Sequence, residues 1–359
     1  MNYNVIFNNK VWALILILIS VAAITVRYTL FTEKFFVDST LLMQMEQSNM
    51  LDDGSFGSAA LFFKYINFLQ IDSLLGWSIY VSCIFFFINF ALVRKIRCIS
   101  FFKFVFVLVC LLLWYLFAAG ITKEVLQTIF FLIIYWIILN KFYFKKNIIK
   151  VLLGAFVLLI SALLFREYYV LVSFFTIIIY MMTIIVKKRK IKSIYLFFCI
   201  FTGVLIFLGI FMSAVSILRP TEYELIVSLR NVKYAYLMDN TDTFIKNLVD
   251  GDTVFIFLIN YSINYIRLLL PVELIFIGKL YYIPFVLYQI SFTYYYFKAF
   301  NRLNRLDDRE FLCLIFLTSF IIVSAIMEPD FGSWTRHQSV CWFLLLGLLF
   351  NKNECNKKI

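Results

Sequence analysis

The sequence predicts an all-α, polytopic integral membrane protein, on three observations. Of its 359 residues 63% are hydrophobic, and the mean hydropathy is +0.91, which is more apolar surface than one soluble core hides. Apolar runs of the length that crosses a ~30 Å hydrocarbon core recur from end to end. The 33 basic residues, which give a net charge of +12, cluster between those runs. There they encode orientation in a membrane, so nucleic acid is not an expected partner.

Taken in order, runs near 11–30, 74–93, 101–119, 122–140, 150–165, 168–186, 193–217, 274–297, 311–327 and 338–350 predict about ten transmembrane helices in a single domain over 1–359. The first contains Ser20-Val21-Ala22, which faintly resembles a signal-cleavage site. With so many later spans, a retained helix is expected. Placing both termini in the cytoplasm puts 21 basic and 4 acidic residues inside (net +17), leaving 12 basic and 17 acidic outside (net −5). That asymmetry predicts an N-in, C-in topology. The inner links are then short basic stitches, and chemistry belongs to the outer face.

Two larger external segments follow, 31–73 and 218–273. In the first, Asp52-Asp53-Gly54 reads as a turn, and the segment as a structural loop. Before the fourth span, Thr122 is expected to cap the helix and Glu124 to suit its positive end, which leaves Lys123 unexplained. At the tip of Phe165-Arg166-Glu167-Tyr168-Tyr169 there is almost no loop, so Arg166 and Glu167 must pair or face a cavity. The second segment opens on Arg219-Pro220. Leu225, Leu229, Val232 and Tyr236 recur at helical spacing, with Arg230 and Lys233 on another face, as in an amphipathic surface helix. Residues 253–270, carrying Asn260, Asn264 and Arg267, predict a re-entrant or interfacial helix.

The third polar stretch is Glu328-Pro329-Asp330-Phe331-Gly332-Ser333-Trp334-Thr335-Arg336-His337-Gln338, an external hairpin loop over 328–338 holding the only histidine. Two readings stand beside each other. One is a surface loop with Trp334 at headgroup level; the other aims Arg336 and His337 at a substrate. The seven cysteines offer no external disulfide pair. No residue spacing suggests a metal, and no cofactor is expected.

Ile121-Thr122-Lys123-Glu124, the Phe165-Arg166-Glu167-Tyr168 tip, Arg219-Pro220 and Asp330-Phe331-Gly332 with Arg336-His337 together resemble the Wzy-type repeat-unit polymerases of bacterial surface polysaccharides, including the EpsG-like branch. Arg27 with Asp38 is similar to that branch's Arg-to-Gly-Thr-Asp opening, though the glycine and the following tyrosine are missing. The resemblance implies a GT-C-like glycosyltransferase of the bacterial inner membrane, independent of metal. It would join undecaprenyl-pyrophosphate-linked oligosaccharides as donor and acceptor at the external face, among membrane lipid, alongside a flippase and a chain-length regulator. The catalytic candidates are then Arg166, Arg336, His337 and Glu328. Lys123, Glu167, Arg219, Arg230, Arg267 and Asp330 are the substrate-binding candidates. Guanidinium groups suit a departing pyrophosphate, and His337, Glu328, Asp330 or Glu167 would take the acceptor's proton. The prenyl chain would lie in a lipid-facing groove, for which the phenylalanine-rich spans are candidates.

Other classes remain open. A lipid-linked oligosaccharide flippase would show an internal repeat, and none is found. An acyltransferase would need an acid close to its histidine. A glycosyltransferase using polyprenyl-phosphate sugars would have an acidic pair in the first outer loop, as Asp52-Asp53 provides.

Overall fold

In a computed structural model the chain is almost wholly α-helical; residues 4–6, 8–48, 54–96, 98–140, 146–188, 193–228, 243–280 and 282–350 are described below. Among the described residues six helices are long and apolar enough to cross a membrane: Asn9–Leu30, Leu74–Val93, Asn147–Leu164, Tyr169–Lys187, Tyr195–Leu218 and Asp308–Met327. The described residues divide into two compact units, where the sequence predicts one domain. Residues up to Ser173 with those from Thr335 form the first, and Phe174–Trp334 the second.

In the first unit α1 (Asn9–Leu30) packs on α4 (Leu74–Val93) and α5 (Phe101–Phe117), and α6 (Lys123–Leu139) on α7 (Asn147–Leu164). Segment 31–73 is not a loop: a 3₁₀ turn, Glu33–Phe36, leads to α2 (Val37–Ser48) and α3 (Ser55–Ile66), which pack on each other. Asp52 and Asp53 lie outside the described residues. A short antiparallel ribbon, β1 (Asn4–Ile6) with β2 (Cys98–Ser100), closes the other end. Two lysines act there as caps for carbonyls that a helix end leaves unpaired. Lys150 Nζ donates to the Ile138 carbonyl of α6 at 2.6 Å, and Lys103 Nζ to Leu349 at 2.8 Å. Leu349 ends α16 (Trp342–Leu349), only eight residues long and at ~1.5 Å per residue too short to cross alone. The span expected at 338–350 is corrected accordingly.

The second unit takes up α8 (Tyr169–Lys188) after Ser173, followed by α9 (Ser193–Leu218) and α10 (Pro220–Ser228). Leu229, Arg230, Val232 and Tyr236 lie outside the described residues. The helix α11 (Val254–Leu269) starts on its Thr253 cap and buries Asn260 and Asn264. The span expected at 274–297 is interrupted, because Gly278 with φ +77° takes the left-handed conformation that glycine tolerates. A one-turn α12 (Glu273–Phe276) therefore precedes α13 (Tyr282–Asn301). Within this unit α14 (Asp308–Met327) packs on α11 and α13 and is buried along nearly its whole length, as a helix apolar on every face must be. Asp307 and Glu310 close a capping box at its start.

Residues 331–339 form a helix, α15 (Phe331–Ser339), rather than a hairpin loop. Asp330 caps it, its Oδ1 accepting from the Ser333 backbone N at 2.8 Å. An antiparallel bridge between Phe244 and Asp330, with Ile245 N donating to Pro329 O at 2.9 Å, holds the approach to it. Trp334 is buried rather than at a headgroup boundary, packed against Phe292 and Phe320.

Candidate functional site: a carboxylate under two guanidiniums

The polar residues of the first unit converge on Glu124. The first turn of α6 places it on one face with Gln127 and Thr128, three and four residues on. Its side chain is 6% exposed. Three donors approach its Oε1: Arg166 Nη2 at 3.2 Å, Arg336 Nε at 3.2 Å and His337 Nε2 at 3.5 Å. Arg166 comes from the turn between α7 and α8, and Arg336 and His337 from the last turn of α15, where cations oppose the helix dipole.

Each partner is itself held. Arg166 Nη1 donates to the Tyr168 hydroxyl at 3.1 Å. The fully buried Gln127, with its amide oxygen turned to the guanidinium, accepts from Arg166 Nη2 at 3.2 Å. Thr128 accepts from Trp114 Nε1 at 3.0 Å and donates to the Glu124 carbonyl at 2.8 Å, fixing the helix turn beneath the site. Thr122 makes no side-chain cap; its hydroxyl bonds back to the Ala118 carbonyl at 3.3 Å.

The imidazole lies between opposite charges. His337 Nδ1 is 3.4 Å from Arg166 Nη1, and a guanidinium only donates. Nδ1 therefore accepts, and in the neutral ring the proton sits on Nε2, facing Glu124.

More cations surround this core. Lys123 Nζ sits 3.4 Å over the Phe56 ring, and Asp38 on α2 lies 3.8 Å from Arg336 Nη1 with its side chain half exposed. Arg27, on α1, is buried within electrostatic reach of Glu124. Its Nη1 donates to the Ala119 carbonyl at 2.9 Å, beneath Phe35 and Phe36. A Cβ on Gly120 would stand 2.9 Å from that nitrogen, so any larger residue there would push the Arg27 side chain aside. Among the described residues of this cluster, the four cations Arg27, Lys123, Arg166 and Arg336 stand with two carboxylates, Asp38 and Glu124, two positive charges in excess.

Of the residues the sequence singles out, Arg166, Arg336, His337 and Lys123 meet here. Glu167 is exposed, and the carboxylate on Arg166 is Glu124. Glu328 and Asp330 belong to the second unit, where the Ser333 hydroxyl donates to Glu328 and Asp330 caps α15. Arg267 is engaged by Glu273 through two bonds of 2.6 Å and by Asn264 at 3.0 Å. Arg219 is solvated, paired loosely with Glu222 at 3.5 Å. Arg230 lies outside the described residues. Glu124 and Gln127 are what sequence reasoning missed: helix-end electrostatics accounted for Glu124 too readily, although a Glu-Gln-Thr stripe on one face of an apolar helix was visible.

Comparison with family models, with curated proteins and with solved structures finds no match for this chain.

Proposed function

We propose that this chain is a membrane glycosyltransferase joining polyprenyl-pyrophosphate-linked oligosaccharides, a repeat-unit polymerase of the bacterial inner membrane, with the Glu124 cluster as its pyrophosphate site. The observation that carries this reading is the convergence of Arg166 and Arg336 on one buried point, in a cluster with two cations in excess. Preorganised guanidiniums in a dry setting stabilise an anion more than they do in water, and removing one such donor typically costs ~10²–10³-fold in rate.

In the reaction, the acceptor hydroxyl oxygen bonds to the donor's anomeric carbon. The bond from that carbon to the pyrophosphate oxygen breaks, and the leaving pyrophosphate keeps the electron pair. The hydroxyl proton passes to a base. His337 is poorly placed for that step, since its lone pair faces Arg166; it stands between the Arg166 guanidinium and the Glu124 carboxylate instead. Asp38, half exposed beside Arg336, is the carboxylate of the cluster open to a substrate hydroxyl. An apolar groove of about 340 Å³ between α1 and α5, lined by Leu18, Ile19, Ala22, Leu108, Val109 and Leu112, suits a prenyl chain. Its lining side chains are aliphatic, and α5 is one of the phenylalanine-rich spans. Ala22 lies five residues before Arg27, ~7.5 Å along α1.

The deciding experiment supplies purified protein with lipid-linked repeat units and sizes the glycan. Polymer on the lipid carrier supports the reading; unchanged single repeats overturn it.

A further inference from the structure

The donors of the cluster are poorly matched to the acceptor they surround. Charge-assisted N–H···O bonds run to about 2.7–2.9 Å, and Arg267 meets Glu273 at 2.6 Å on both carboxylate oxygens. On Glu124, two guanidiniums and an imidazole instead crowd one oxygen at 3.2–3.5 Å. Arg336 Nε is buried and, though 3.2 Å from that oxygen, makes no hydrogen bond to it or to any described group. A buried N–H left this way carries a desolvation penalty. It leaves a donor that no described group of the chain satisfies.

We infer that Glu124 is an internal stand-in for a phosphoryl oxygen: the resting cluster is closed loosely on its own carboxylate, and a pyrophosphate group binds by drawing Arg336 away from it. The inference rests on reading the cluster as a pyrophosphate site, and it adds how that site is kept closed. Arg166 stays fixed by Tyr168 and Gln127. Arg336 is the movable half, its side chain 32% exposed and, among the described residues, otherwise paired only with Asp38 at 3.8 Å. Lys123, resting on the Phe56 ring rather than on a carboxylate, stands within electrostatic range of Arg336 to add a third cation. Three cations against several phosphoryl oxygens replace three donors sharing one.

Competition by an internal group lowers apparent affinity by the fraction of molecules left open, so weakening the competitor must tighten binding. The test measures inorganic pyrophosphate binding to the full-length protein in lipid nanodiscs at low salt. Glu124→Gln should bind about tenfold tighter than the parent, and Arg336→Ala should lose binding. Glu124→Asp keeps the charge for folding but draws the carboxylate back by a methylene, so it should tighten binding by less. If neither Glu124 substitution tightens binding while Arg336→Ala still abolishes it, the stand-in is overturned and the site reading survives. Binding indifferent to Arg336→Ala would overturn both.

Discussion

Arg267 with Glu273 and Arg336 with Glu124 are both arginine–glutamate pairs, and they show opposite ways of keeping a guanidinium near hydrocarbon. Arg267 is saturated, with two short bonds to Glu273, one to Asn264 and another to the Lys246 carbonyl. Four of its five N–H groups are engaged, which leaves little for a ligand to take. Glu124 is instead shared between two guanidiniums and an imidazole, and its cluster holds excess positive charge. A fork fully matched to one carboxylate stabilises the fold; forks left partly unmatched keep donors for something else. Counting outer-side arginines from sequence treats these cases alike, and partner stoichiometry separates them.

Breaking the unsaturated side should have the largest effect. Arg336→Ala is expected to lower the polymerisation rate by ~10²–10³-fold, read as glycan length in the purified assay. Arg336→Lys should restore little, because a point charge does not reproduce a fork aimed at phosphoryl oxygens. Parental polymer from either variant would put the pyrophosphate elsewhere.

His337 sharpens the comparison at a smaller scale. A ring that accepts from Arg166 and turns its other nitrogen toward Glu124 needs one acceptor and one donor, and a glutamine amide has both. His337→Gln should therefore keep its rate within about tenfold, while His337→Ala should fall further; a general base lost in either variant typically costs ~10²–10⁴-fold. Equal, deep losses in both would restore His337 as the base.

On the saturated side, Arg267→Ala should act on stability and leave the rate per folded molecule unchanged. Removing one partner of a half-buried pair leaves Glu273, Asn264 and a carbonyl short of donors, a cost of about 1–3 kcal/mol. The check is a thermal melt in detergent beside the specific activity. A drop in activity without a drop in melting temperature would move Arg267 into the site.

Much of this was legible in the sequence, and the reason is local. The apolar runs that became α1, α4, α7, α8, α9 and α14 were readable because one-dimensional hydropathy decides whether a helix crosses hydrocarbon. Arg166, Lys123, Arg336 and His337 stand out because a charge at the end of such a run, close to hydrocarbon, is costly and tends to be kept where it works. Glu124 was set aside because a helix start excuses an acid. That it meets Arg166, 42 residues on, and Arg336 depends on tertiary packing that no spacing encodes. The break at Gly278 and the helix over 331–339 were likewise misplaced. Each turns on a backbone detail, a left-handed glycine in one case and an Asp330 cap in the other, that hydropathy does not register.

Arg219 provides the smallest effect and the control for the whole comparison. Sequence placed it with the substrate-binding arginines because Arg219-Pro220 opens a long outer segment. Its side chain is 72% exposed, and its partner Glu222, itself half exposed, lies 3.5 Å away on the same helix start. Exposed ion pairs of this kind contribute little and are screened by salt. Water satisfies the guanidinium in either state, so the pair neither holds the fold nor stores unmatched donors. Arg219→Ala should thus leave glycan length unchanged and shift the melting temperature by no more than a degree or two. A loss of polymer comparable to that of Arg336→Ala would show that exposed arginines also grip the substrate, and saturation of the partner would then fail as the criterion separating the two kinds of site.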